Sequence, residues 1–424
     1  MVPFEAFLMS SGVTTDSRNI PNNSIFFALK GERFNGNEYA LKALDSGAKF
    51  AIVDEGIFHD SRIIKVANVL ESLQDCARSY RRHLGIPIIG LTGSNGKTTC
   101  KELFRAVLSK KYEIFATKGN FNNHIGVPLS LLNIPRNSDI AIIEMGANHQ
   151  NEIALLSSIC EPNIGYITNF GKAHLEGFGG VEGVIKGKSE LYDYLRKTKQ
   201  KAMVSFDDVL QMNNSEGIQT FGFGQNAGLI TWAPSSSSEF ARINIFSEHS
   251  SYSVQSLLSG SFNEQNIAAA ACIGHYYKVA PNHIKEAIES YVPKMNRVEW
   301  RTTESNKVLL DAYNANPSSM KLSIDSFSKW HRKDGILILG DMFELGEASA
   351  FEHQSIVDYL IALNLQNQSI LIGRYFSATD WVGAKFESTE ALADYWKEKG
   401  APRDASILLK GSRVIALETL MNML

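Results

Sequence analysis

The chain has 424 residues, 44% of them hydrophobic and 21% charged, with a formal net charge of −3. A composition of this kind folds throughout, and the length exceeds one ordinary domain, so about two to four domains with clefts between them are expected. The near-neutral balance excludes a general field for nucleic acid or anionic membranes, so any phosphate recognition must be local. Cys76, Cys100, Cys160 and Cys272 form no close pair in sequence. That spacing argues against a zinc site and a disulfide framework. Together with the start "MVPFEAFLMSSG", which does not read as a signal peptide, it points to the reducing cytosol. No apolar run approaches the roughly 20 residues of a membrane helix, and a soluble protein is expected.

Strand-like apolar runs alternate with helical patterns along the chain, which predicts α/β layers. The clearest runs are "AKFAIVD" (48–54), "IPIIGLT" (86–92), "DIAIIEMG" (139–146), "IGYITNF" (164–170), "GILILGD" (335–341), "SILIG" (369–373) and "ASILLKG" (405–411). Several are continuously apolar, as strands of a parallel sheet covered on both faces are. Their carboxyl ends carry the polar residues, and ligands of open α/β sheets bind at that edge. Three blocks are expected, 1–84, 85–294 and 295–424. The second contains a polar insertion, "TWAPSSSSEF" (231–240), which reads as a loop or a β-excursion.

"GLTGSNGKTTCKELF" (90–104) has the order strand, glycine turn, lysine, two hydroxyls, helix. A strict phosphate loop reads G-x-x-x-x-G-K-[ST], and Leu91 stands where its first glycine should be. The physics survives that change. Backbone amides over Gly93, Ser94, Asn95, Gly96 and Lys97 can face phosphates, the helix adds its positive end, and Thr98 or Thr99 can ligate Mg²⁺. Glu144 ends the next strand, where it is either a metal carboxylate or a surface or helix-capping glutamate. His174 alone reads as a surface histidine. Lys188, 14 residues further on and at the head of a helical pattern, is a metal ligand only if carbon dioxide has converted its amine to a carbamate. In "LSGSFNEQNIAAAACIG" (258–274), Asn263 and Asn266 read as a polar loop entering a closely packed alanine-rich helix. "LLDAYNANPSSMKLSI" (309–324) reads as a strand end at Asp311, a turn and a helix cap.

Together these stretches resemble the Mur ligases of bacterial cell-wall synthesis. "TGSNGKTT" (92–99) fits that family's loop, in which Leu91 is no defect, and "TKGNFNNHIGVPLSLL" (117–132), "EMGANHQNEI" (144–153), "AHLEGFGG" (173–180), "DAYNANPSSM" (311–320) and "LGDMFELGEAS" (339–349) look like motifs of its dipeptide-adding subgroup. "TTDSRNIPNNSIFFALKGERFNGNEYA" (14–40) is similar to the segment that holds the uridine nucleotide. One departure is Leu310, where many members carry a second aspartate before the aromatic residue.

The resemblance implies three α/β domains: a small amino-terminal UDP-substrate domain, a central phosphate-loop ATPase domain with a mostly parallel sheet, and a carboxyl-terminal Rossmann-like domain. It implies a monomeric cytoplasmic enzyme that uses ATP and Mg²⁺ to join D-alanyl-D-alanine to UDP-N-acetylmuramoyl-tripeptide through an acyl phosphate. Residue by residue, it implies Lys97 on the transferred phosphoryl group, Thr98 and Glu144 on one Mg²⁺, and His174 with carbamylated Lys188 on a second. Asn266 would contact adenine, Arg297 would lie near the phosphates, and Asp311 and Asn314 near the ribose or the hinge-side face of the closed site. Thr15, Ser17 and Arg18 would meet the uridine diphosphate.

Overall fold

The computed structural model describes residues 1–235, 239–294, 296–331 and 333–424. Three principal sheets follow one another along the chain. The first is a parallel four-stranded sheet in the order Val13–Thr14, Ile25–Phe27, Phe50–Val53, Ile63–Lys65. The second has nine strands, seven of them joined by parallel pairing, with Ile88–Thr92 third from one edge. The third has six strands, with Glu299–Thr302 as its antiparallel edge and Lys307–Asp311, Ser406–Lys410 and Gly335–Gly340 at its middle.

The continuous apolar runs behave as a parallel sheet requires. Every residue of Ile88–Thr92 and of Ile140–Glu144 is buried, because helices cover both faces. Leu91 is one of them, packed with Cys100, Leu103 and Phe104 of the following helix. A glycine there would leave a gap in this core, so the loop begins after the leucine. The alanine run of Phe262–Tyr276 has a matching cause. Ala268 to Ala271 are fully buried where this helix packs on Lys97–Leu108 and on the sheet, and small side chains permit the close approach.

In the central sheet, Ile88–Thr92 has Ile164–Ile167 on one side and Ile140–Glu144 on the other. The strand order therefore reverses at the end of Ile88–Thr92, which is where a crevice opens in an open α/β sheet. Of the polar insertion, residues 236–238 lie outside the described residues. Its flanks belong to the strands Ile230–Pro234 and Phe240–Ser247, which pair antiparallel and extend the sheet.

The helix Val69–Leu84 joins the first sheet to the second. It packs on Pro3–Leu8 on one side and on Gly126–Leu132 and Glu152–Cys160 on the other. The Tyr80 hydroxyl donates to the Ile134 carbonyl at 2.8 Å and Arg81 donates to the Glu161 carbonyl at 2.9 Å. Asn68 caps the helix by accepting from the Glu71 amide at 3.1 Å, and Gly85 closes it in the left-handed region at φ 66°. Asn68→Ala leaves that amide unpaired and is expected to cost about 1 kcal/mol. The cost should appear as a lower urea midpoint in circular dichroism, with the unfolding slope unchanged.

Candidate active site

The carboxyl ends of the central and third sheets face one cleft of about 960 Å³. Its floor is the loop between Thr92 and the helix Lys97–Leu108. Gly93 has φ 139°, and a Cβ there would fall 2.0 Å from the Thr168 hydroxyl oxygen. Gly96 has φ 79° and lies against Asn266. Both turns require glycine. The loop's own bonding narrows the expected cradle. The Ser94 amide donates to the Asn169 carbonyl at 3.1 Å and the Asn95 amide to the Asn169 side chain at 3.0 Å, so neither is open to a ligand. The amides from Gly96 into the first turn remain. Among the described residues no side chain caps that helix, which is the arrangement of an anion site.

Lys97 folds over the loop and donates to the carbonyls of Gly93 at 2.6 Å and Ser94 at 3.2 Å. Burial lowers its ammonium to about 8, an effect the Glu144 charge opposes and the Arg297 charge reinforces. Glu144 sits opposite Leu91 in the paired strands and is 2% exposed. Its carboxylate accepts from Thr98 at 3.1 Å and from Asn122 at 3.0 Å, and the fully buried Lys101 ammonium lies 3.8 Å away. Glu144 is thus neither a surface residue nor a cap.

His174 is no open surface residue either. Its side chain is 18% exposed, and its Nδ1 lies 2.5 Å from Glu344, which comes from the third sheet's side of the cleft. That contact holds the Glu344 carboxyl below the ordinary glutamate range. Lys188 corrects the sequence reading on one point. It occupies the third turn of Val181–Thr198, not its head, because the helix starts directly after Gly180. It is also fully buried just behind the cleft wall, with Nζ 3.2 Å from the Ala147 carbonyl and 4.9 Å from the Phe178 ring centre. Burial pushes its amine well below the ordinary lysine range, and the Lys97 charge adds to the effect.

Asn263 and Asn266 lie inside the helix Phe262–Tyr276, not in a loop before it. Asn266 donates to Asn263 at 2.8 Å and accepts from the Cys100 thiol at 3.1 Å, which makes it a brace under Gly96. Arg297 lays its guanidinium 3.7 Å from the Tyr313 ring centre, and its buried Nε has no hydrogen-bond partner among the described residues. Asp311 pairs with Lys410 at 2.8 Å and accepts from Ser323 at 2.9 Å. Asn314 receives the Lys410 ammonium on its carbonyl at 3.0 Å. Asn316 caps the helix Pro317–Trp330 and donates to Asn95 of the loop at 2.7 Å.

Thr98, Thr99, Glu144, His174, Asn266, Arg297, Asp311 and Asn314 all line the one cleft. Thr15, Ser17 and Arg18 do not. They follow the first strand of the amino-terminal sheet, at its carboxyl edge, with Arg18 bonded to Asp16 at 2.9 Å. Sequence reasoning gave no role to Asn122, Tyr313, Glu344 or Lys410. A signal existed for Lys410, a lysine inside the otherwise apolar run "SILLK".

The glycine loop at a sheet switch point, the buried carboxylate beside it and the flanking third sheet define a phosphate-loop α/β protein with its site between sheets. Family profiles agree in order along the chain: "Mur ligase family, catalytic domain" over residues 10–89, "Mur ligase middle domain" over 91–274, and "Mur ligase, glutamate ligase domain" over 296–413. The chain belongs to the Mur ligase family. It is 35% identical over 350 residues to the UDP-N-acetylmuramoyl-tripeptide--D-alanyl-D-alanine ligase of Bacillus subtilis, covering 81% of this chain and 76% of that one. The structure of MurF from Acinetobacter baumannii superposes with a TM-score of 0.88 at 29% identity, covering 99% and 98% of the two chains. MurF ligase from Thermotoga maritima in complex with ADP gives 0.86 at 26% identity, covering 98% and 97%.

Burial of Lys97 has a consequence for stability. The folded chain releases this proton near pH 8 and the unfolded chain near 10.5, so between those values the unfolded state binds more protons and stability rises with pH. Lys97→Met removes the cost of burying the charge. Because the side chain keeps partial solvent contact, the gain at pH 7 is expected to be only on the order of 1–2 kcal/mol. It should shrink between pH 8 and 10.5, read as the difference in melting midpoint between variant and wild type. A difference that does not change with pH would contradict the burial argument.

Proposed function

We propose that this chain is an ATP-dependent ligase that joins D-alanyl-D-alanine to the terminal carboxylate of UDP-N-acetylmuramoyl-tripeptide, a cytoplasmic step in peptidoglycan precursor synthesis. The observation that carries the reading is the Asn316 to Asn95 bond, 2.7 Å long, which brings the "YNANP" segment of the third sheet onto the phosphate loop. Loop and segment thereby form one site, as a reaction between a nucleotide and a peptide requires. The blocks 1–84, 85–294 and 295–424 would then hold the UDP-sugar, ATP and the incoming dipeptide side of the site.

A carboxylate is a poor electrophile. Transfer of the γ-phosphoryl group to it gives an acyl phosphate and ADP. The dipeptide amine then attacks the carbonyl carbon, and phosphate leaves from the tetrahedral intermediate while the new amide forms. The open amides from Gly96 to Thr99 would bind the phosphates, and Lys97 would swing from the loop carbonyls to the transferred group. Arg297, its Nε unpaired, suits an anion from the opposite wall. Asn266 would support the loop from the adenine side, and Asp311 with Asn314 would meet the ribose side. Thr15, Ser17 and Arg18 would face the uridine diphosphate at the carboxyl edge of the amino-terminal sheet.

The donor set fits Mg²⁺. Thr98 and Glu144 place oxygen ligands 3.1 Å apart. His174 and Lys188 would hold a second ion, provided the Lys188 amine has added to carbon dioxide and lost a proton to become a carbamate. Burial lowers the pKa of that amine and so favours the neutral form, which is the form that adds. When bound, Mg²⁺ offsets the repulsion between the phosphate and the substrate carboxylate.

Phosphate release is to be measured with ATP, Mg²⁺, UDP-N-acetylmuramoyl-tripeptide and D-alanyl-D-alanine, against panels of single amino acids and of folate. Release only with the tripeptide and dipeptide together is expected. Release with folate or with a single amino acid instead would assign a different ligase. Lys188→Ala is expected to abolish ligation, and full activity of that variant would refute the carbamate.

A further inference from the structure

His174 and Glu344 meet across the cleft, and the contact is strained on both sides. His174 has φ 54° and Glu344 has φ 62°, so each is a non-glycine residue in the left-handed region. Such conformations are disfavoured for residues with a side chain, and they cluster where the surrounding structure fixes a side chain for a purpose. The two turns also interlock through backbone. The Glu176 amide donates to the Glu344 carbonyl at 3.2 Å, and a Cβ at Gly346 would lie 3.0 Å from the Glu176 Cβ. Backbone contact therefore sets the position of the carboxylate relative to the ring.

We propose that Glu344 is a positioning residue for His174, which orients the imidazole for metal binding only when the third sheet is docked on the central one. Nδ1 is the ring nitrogen 2.5 Å from Glu344, though the pair is not aligned as a hydrogen bond; because a carboxylate can only accept, the tautomer it favours carries the hydrogen on Nδ1. In the neutral ring the lone pair is then on Nε2, the nitrogen left for an ion. This is the carboxylate–histidine arrangement that fixes the tautomer and raises the basicity of metal-bound histidines. Here its two halves come from different sheets. Undocking the third sheet removes the carboxylate and frees the ring to rotate, so the second ion is held well only in the docked form. A second docking pair, Lys172 to Glu352 at 2.5 Å, lies beside it without touching His174.

The proposal rests on His174 being a metal ligand, and the test separates the two ideas. Bound Mn²⁺ is counted by electron paramagnetic resonance in the full chain with a non-hydrolysable ATP analogue. Glu344→Ala is expected to weaken the second of two Mn²⁺ sites by about tenfold or more, and Glu344→Gln, which keeps an acceptor oxygen, by less. Glu344→Gly accepts φ 62° without strain and should weaken the site as Glu344→Ala does, which rules out a backbone cause. Lys172→Ala loosens docking without touching the ring, and should weaken the site while Glu344 is present but not in Glu344→Ala. If His174→Ala loses the second site and Glu344→Ala does not, the positioning role is overturned and the metal role of His174 stands. If His174→Ala keeps both sites, both ideas fall.

Discussion

The arrangement of the cleft follows from one buried carboxylate. Glu144 ends a strand covered on both faces, where an unpaired charge would cost several kcal/mol. The fold meets that cost with donors from three places: Thr98 at the start of the loop helix, Asn122 in the segment before Gly126–Leu132, and Lys101 one turn further along the loop helix. Each donor fixes an element. The Thr98 bond ties the loop helix to the neighbouring strand, and the Asn122 bond pulls a connecting segment over the sheet edge. The Glu144 amide meanwhile donates to Thr117 at 3.0 Å, and the Thr117 carbonyl accepts from Lys101 at 2.6 Å. The network is closed, and that makes a carboxylate tolerable at the base of a phosphate loop.

The far wall of the cleft is held differently. Polar contacts between the central and third sheets include Asn95 with Asn316, His174 with Glu344, Lys172 with Glu352, the Lys172 amide with Ser318 at 3.0 Å, the Glu176 amide with the Glu344 carbonyl, Glu239 with His331 at 2.9 Å, and Trp300 with Ser259 at 2.6 Å. Partly exposed pairs of this kind contribute little each. Such an interface opens at low cost, which suits a site that must admit two substrates and then exclude water from an acyl phosphate. Most of these contacts involve residues within or next to the loop and histidine motifs, so docking and assembly of the site are coupled.

The sequence made the sheet centres and the loop legible because they depend on local pattern. Ile88–Thr92 and Ile140–Glu144 are continuous apolar runs, and Gly93 and Gly96 are demanded by their own dihedral angles. Three-dimensional proximity was legible only through family resemblance. Nothing in the spacing says that Asn169 consumes the amides of Ser94 and Asn95, that Lys188 points behind the cleft wall, or that Glu344 reaches His174 from 170 residues away. These depend on how one sheet docks on another. Helix boundaries slipped for a local reason. Gly179 and Gly180, at φ 75° and 104°, read as a loop continuing toward Lys188, but the helix begins at once after them.

Two fully buried lysines, Lys101 and Lys188, show why burial alone does not define a role. Lys101 has carboxylates at 3.1 and 3.8 Å, from Glu102 and Glu144, and a carbonyl at 2.6 Å. It is a charge the fold has taken in and paired, and it braces Glu144. Lys188 has one carbonyl, one aromatic face and no ion pair among the described residues. A lysine kept only for packing would be replaced by an apolar chain of similar length at lower cost, since an unpaired ammonium is expensive to bury. An environment that disfavours the ammonium suits a role for the neutral amine, and addition to carbon dioxide is a reaction of the neutral amine. The burial that makes Lys188 a poor structural lysine is therefore the physical argument for its place in the proposed site.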